Sequence, residues 1–178
     1  NSEQWEWSGW SIRRQLSHMS SLIYRWLLIR WGDVLFPQGG HGVLDVEGLA
    51  DSDYDRRMDE GRYWELPVVL DKLRGGIDLA QRLLAERSVG FLRGNTYLQQ
   101  QSPQWVLMIN AHPTGITPTE DPERWNMTLE ATVRHIYFEE TTHLYNIQRL
   151  KRAQGLQAVA ELPGVGYWVL DGWDRSEA

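Results

Sequence analysis

Between Ser11 and Trp31 apolar residues recur at intervals of three and four, at Ile12, Leu16, Met19, Leu22, Ile23, Trp26 and Ile29, which predicts an amphipathic helix. Ser11 supplies an N-cap side chain and Gly32 a stop, and His18 falls at the edge of the stripe beside Leu22 and Ile29. The pattern then lapses. From Val34 to Gly61 glycine and aspartate dominate, with Pro37, the run Gly39-Gly40-His41-Gly42 and the acidic residues Asp51, Asp53 and Asp55. This reads as a long connection with room for a helical turn.

A helical period returns from Leu66 to about Ser88, with Pro67 in the first turn, where a missing N–H is harmless. Its core positions are Val69 or Leu70, Leu73, Ile77, Ala80 and Leu84. Gly75 and Gly76 cost about 1 kcal/mol each relative to alanine, so they mark a kink or a close approach by another helix. Gly90 to Pro103 is polar and turn-prone, and Trp105 to Ile109 reads as a short helix entering a bundle, with a strand as the alternative. Ala111 to Pro122, with three prolines, Gly115 and His112, reads as a loop. A last helix is expected from Asp121 as N-cap, with Pro122 at its first position, to Gln154, closed by Gly155, about nine turns in all. The tail from Leu162 to Ala178 reads as an irregular arm.

That last helix carries the sharpest chemical signal. His135, Glu139 and His143 repeat an i, i+4 spacing, and residues four apart differ by roughly 40° around a helix axis, so Glu139 and His143 project side by side. The apolar stripe runs through Leu129, Val133, Ile136, Ile147 and Leu150; His143 lies within it and Glu139 at its edge. A buried, unpaired carboxylate is costly, so such a group is neutralised, ion-paired or metal-bound. If the first and last helices pack side by side, His18 is a third donor. Two imidazoles, one carboxylate and an open position suit zinc, nickel or iron with a water, hydroxide or thiolate. Glu140 is the rival carboxylate, i, i+3 from His143. His135 turns away from the stripe and reads as a rim residue, and His112 and His41 sit in loops where they would at most line an entrance.

Composition narrows the choice further. A chain of 178 residues fits one domain, and a net charge of -6 without a Lys/Arg-rich run argues against nucleic acid as a partner. Cysteine is absent, so any thiol chemistry needs an external thiol. Leu22 to Trp31 is broken by Arg25 and Arg30 and is too short to span a bilayer, and no signal peptide is visible, so a cytoplasmic setting without membrane contact is expected. Trp5, Trp7 and Trp10 are expected to anchor the chain start. Gly39 to Gly42 lacks the Lys-Ser or Lys-Thr of a phosphate loop and reads as a turn, and the aspartates at 51, 53 and 55 lack the calcium-loop offsets and read as a solvated face. Arg149, Lys151 and Arg152 read as a complement to the dipole of the last helix.

Two segments together resemble the DinB-like superfamily of metal-binding four-helix bundles, which includes the mycothiol-dependent maleylpyruvate isomerases. Gly9-Trp10-Ser11-Ile12-Arg13-Arg14-Gln15-Leu16-Ser17-His18-Met19 is similar to the family's Trp-Ser opening with the first ligand histidine seven residues on. Glu139-Glu140-Thr141-Thr142-His143-Leu144-Tyr145-Asn146-Ile147 is similar to its second ligand, last histidine and following isoleucine. Many members carry histidine where this chain has Glu139, and the isomerase branch has glutamate there. The resemblance implies an all-α four-helix bundle over residues 1–178, with long connections and an irregular C-terminal arm. It implies His18, Glu139 and His143 as ligands of a divalent metal, zinc before nickel or iron, and a homodimer. The implied activity is thiol-dependent transfer or isomerisation of a small molecule, or metal-assisted hydrolysis, with a low-molecular-weight bacterial thiol as cosubstrate and no catalytic base singled out. The family places a helix before the Trp-Ser motif, so that helix is expected upstream, or its role falls to a later segment or a second subunit. The alternatives are a stress-response protein that binds a metal or small ligand without turnover, and a structural helical protein with the same residues ion-paired.

Overall fold

The computed structural model describes residues 9–176, so the expected anchoring by Trp5 and Trp7 lies outside the described residues. Helix α1 (Ile12–Tyr24) begins where the Ser11 hydroxyl accepts the Arg14 N–H at 3.3 Å. It passes directly into a π-helical turn, Arg25–Arg30, in which Trp31 N–H donates to the Trp26 carbonyl five residues back at 3.0 Å. Met19, Leu22, Ile23 and Trp26 are buried as the periodicity predicts, but Ile29 is 47% exposed, because the wider turn shifts the phase of the stripe. Gly32 does not end the structure here: it opens a short helix, α2 (Gly32–Leu35).

The acidic connection contains one short helix, α3 (Val46–Ala50), capped by Asp45. Met58 closes the connection onto the core at 0% exposure, and Glu60 ties it to α1 through Arg14 at 2.9 Å. Asp51, Asp53 and Asp55 face solvent.

Helix α4 (Leu66–Glu86) packs on α1. It buries Val69, Leu73, Gly76, Leu79 and Leu83, whereas Ile77 and Leu84, expected in the core, are 40% and 39% exposed. The contact face is set by Gly76, which lets the Ile23 side chain lie where a Cβ would meet it at 3.3–3.4 Å. A hydrophobicity pattern does not register a glycine groove, hence the rotated face.

The expected all-α four-helix bundle is corrected by the segment after α4, which forms a small sheet. Helix α5 (Val89–Gly94) leads into β1 (Thr96–Gln100), then α6 (Pro103–Met108), a 3-10 turn at Ile109–Ala111, β2 (Ile116–Pro118) and β3 (Arg124–Thr128). The strands pair antiparallel in the order β1-β3-β2, with Thr96 opposite Thr128 and Ile116 opposite Met127. Trp105 does sit on a short helix, but the stretches 90–103 and 111–122, turn and loop by their sequence pattern, hold regular structure.

Helix α7 (Leu129–Ala153) starts at Thr128, whose hydroxyl accepts the Ala131 N–H at 3.1 Å, and makes about seven turns rather than nine. The Asp121-Pro122 pair has a different use: the Asp121 carboxylate accepts the Glu123 N–H at 2.9 Å, an Asx turn leading into β3. Gly155, with φ +71°, closes α7 as expected, with Leu156 N–H on the Lys151 carbonyl and Gly155 N–H on the Arg152 carbonyl, both at 2.9 Å. The tail then folds back on α7: a 3-10 turn at Tyr167–Val169 places the Tyr167 and Trp168 N–H groups on the Thr142 hydroxyl at 3.0 and 3.2 Å. Arg149, read as a dipole complement, is wholly buried and donates to the carbonyls of Asp174 and Ser176, so it fastens that tail. Among the described residues no helix is long and apolar enough to cross a membrane.

Candidate metal centre

The packing of α1 against α7 brings His18 to Glu139 and His143, and one ligand atom from each lies within 4.8 Å of the others. Within the group, His143 Nε2 is 3.3 Å from Glu139 Oε2. Two ligands about 2.0–2.1 Å from a tetrahedral zinc stand about 3.3–3.4 Å apart, so this pair already has the spacing of one coordination edge. His18 completes the set with a modest closure.

Both imidazoles are oriented by carbonyl oxygens. His18 Nδ1 donates to the Arg56 backbone carbonyl at 2.9 Å, and His143 Nδ1 donates to the Gln15 side-chain oxygen. Each ring therefore commits its Nδ1 proton outward and leaves Nε2 for an ion, the arrangement that fixes tautomer and direction in histidine metal sites. Arg56 holds its carbonyl there with φ +59°, a left-handed conformation uncommon outside glycine. Trp10 covers the pair, 4.8 Å from the His18 ring and stacked at 6.1 Å on His143.

The charges fit a cation better than a proton. Burial, then the neighbouring His143, keeps the His18 imidazole well below its usual range, so it is neutral near pH 7. Burial pushes the Glu139 carboxyl upward, but the hydrogen bond with His143 and the nearby imidazoles outweigh it and hold it at about 2, so it is ionised. With Nδ1–H given to Gln15, His143 turns Nε2 toward Glu139 Oε2, where a divalent ion would be shared by the two. The rival Glu140 stays outside the group. Its Oε1 is sealed from solvent without a hydrogen-bond partner, and burial followed by the Glu139 charge raises it to about 8.

His135 is not a rim residue. It is buried between Trp26 and Trp105, with ring centroids at 5.0 and 4.7 Å, and its Nδ1 meets the Tyr167 hydroxyl at 2.7 Å. The same hydroxyl meets His112 Nε2 at 2.8 Å, so the loop histidine is drawn inside as well. Burial lowers His135 to about 4 and His112 to about 3, leaving both neutral. His41 stays apart, accepting the Val43 N–H within its own turn. Comparison with protein-family models, curated proteins and solved structures finds no match.

Among the described residues, cavities open on the group from two sides. One, about 270 Å³, includes Trp10, His143, Asn146 and Trp173, and the other, about 170 Å³, includes Arg25, Trp105 and His135; both are lined by His18, Arg56, Gln104 and Glu139. Gln15, Arg56 and Tyr167 were not legible as site residues, and His135, visible in the i, i+4 ladder, reads in the sequence only as a rim residue. Gln15 lies three positions before His18, on the same helix face, which is the one signal that pointed to it.

Proposed function

We propose that the chain is a divalent-metal-dependent enzyme acting on a small molecule, in which His18, Glu139 and His143 hold the ion. Zinc is the first choice, with nickel and iron also accepted by two imidazoles and a carboxylate. The observation that supports this best is the pair of histidines whose Nδ1 atoms are both committed to carbonyl oxygens beside an ionised, buried carboxylate. Bound there, a divalent ion supplies Lewis acidity and lowers the pKa of a water or thiol in its open position.

The residues around the group divide the remaining work. Trp10 excludes water from one side of the imidazoles. His135 lines the smaller cavity beside Glu139 as a neutral imidazole whose Nδ1 is held by the Tyr167 hydroxyl. The resemblance to the DinB-like superfamily adds a low-molecular-weight thiol as cosubstrate, and the absence of cysteine means that such a thiol comes from outside the chain. Hydrolysis uses the same three ligands with water in place of the thiol.

Cobalt substitution tests the reading. A thiol added to the cobalt-loaded protein is expected to produce thiolate-to-metal charge-transfer absorption, absent in His18→Ala. A cobalt spectrum indifferent to thiols would remove thiol transfer and leave hydrolysis.

A further inference from the structure

The smaller cavity, beside His18 and Glu139, is lined by three arginines, Arg25, Arg30 and Arg56, in a chain of net charge -6. Arg25 is half-buried and makes no hydrogen bond or ion pair with another described residue. Glu139 is the nearby carboxylate, but its Oε2 is engaged by His143 and it forms no ion pair with Arg25. Arg30 lies over the Trp26 ring at 4.0 Å and gives one N–H to Gln99 at 3.2 Å, leaving most of its donors unused. Arg56 stands at the mouth, paired with its exposed neighbour Asp55. Burial, then Arg30 and Arg56, lowers Arg25 to about 10, so it keeps its charge at neutral pH. Clustered, partly desolvated cations of one sign are costly unless an anion sits among them.

The backbone is shaped for this cluster. On a regular α-helix residues five apart point about 140° from one another, and Arg25 and Arg30 would diverge. The π-helical turn that spans them, with its five-residue hydrogen bond, returns both to the same cavity. Such turns cost helical regularity and concentrate at functional sites.

We infer that this cavity is a subsite for an oxyanion on the substrate, a carboxylate or a phosphate, gripped by Arg25 and Arg30 with Trp105 as the wall for the rest of the molecule. Arginine's planar fork matches either group through two parallel hydrogen bonds. The inference deepens the metal-enzyme reading and rests on it for where the substrate's reacting end lies, whereas the arginine cavity is present without the ion. At about 170 Å³ it admits a small acid rather than a nucleotide.

The test titrates zinc-free and zinc-loaded protein with benzoate and with inorganic phosphate, following tryptophan fluorescence, since Trp26 and Trp105 line the cavity. Saturable binding is expected with at least one of the two, and which one answers separates a carboxylate from a phosphate ligand. Arg25→Gln is expected to weaken it about tenfold or more in both metal states, as loss of a charged hydrogen-bond partner does, while zinc content and binding in an exposed-site control, Arg82→Gln, stay unchanged. If Arg25→Gln fails to fold, as read by circular dichroism, Arg56→Gln, whose side chain is 54% exposed, carries the comparison with a several-fold loss expected. Neither anion binding, or equal binding by wild type and variant, overturns the inference. Arginine-dependent binding in a protein that takes up no zinc would uphold the subsite and overturn the metal reading instead.

Discussion

Tyr167 joins His135 and His112 through a single hydroxyl, and the two imidazoles are neutral because burial leaves no room for their charge. Both titrate near 6.5 in an unfolded chain and near 4 and 3 in the fold. Between those values the unfolded chain binds more protons, so stability rises with pH; the contribution is complete above about 6.5 and disappears as pH falls through 4 and then 3. His135 alone accounts for on the order of 3 kcal/mol. Urea unfolding of chelator-treated protein is expected to show a clear fall in stability from pH 7 to pH 4, and a smaller one in His135→Gln. Glu140, held protonated up to about 8, acts in the opposite sense in both proteins, so equal profiles in wild type and variant would mean that His135 is not buried neutral. At this scale the sequence disclosed the ladder of Glu139 and His143, because i, i+4 spacing is local, but it misplaced His135. The tail that encloses His135 joins it from 32 positions away, and no helical wheel contains that contact.

Along the elements, the glycines of α4 show how much a pattern can predict and where it stops. Gly75 and Gly76 were expected to mark a close approach, and α1 does lie against them: a Cβ at Gly75 would stand 2.9 Å from the Tyr24 hydroxyl, and one at Gly76 3.3 Å from Ile23. Gly76→Leu is therefore expected to destabilise by about 1–3 kcal/mol through overpacking, despite the better helix propensity of leucine. Thermal unfolding reads the effect, and an unchanged Tm would place α1 elsewhere. The start of α1 and the span of α4 followed from a cap and from periodicity, whereas the end of α1 did not, because a π-helical turn continues it and Gly32 opens α2. The start of α7 did not, because Asp121-Pro122 satisfies the chemistry of a helix cap and of an Asx turn equally well, and pairing of β3 with β1 and β2 decided between them. The π-helical turn carries no sequence signature, although it assembles the arginine cavity.

For the whole molecule, α1 is the element that touches both other long helices, and its His18 meets Glu139 and His143 on α7 more than a hundred residues later. The small sheet takes the place of a fourth long helix between α4 and α7, which is why a bundle inferred from two end segments failed in the middle. Each end segment lies on its own helix, and the packing of α1 on α7 brings His18, Glu139 and His143 together. Zinc, nickel and iron in the untagged protein, purified without chelator, measured beside a His143→Ala variant, test the central claim most directly. About one equivalent of one of these metals in the wild type, lost in the variant while the helical circular dichroism persists, is the result predicted. No metal in the wild type and no uptake on titration with zinc would contradict it, leaving His18, Glu139 and His143 as a buried ion pair with a neighbour.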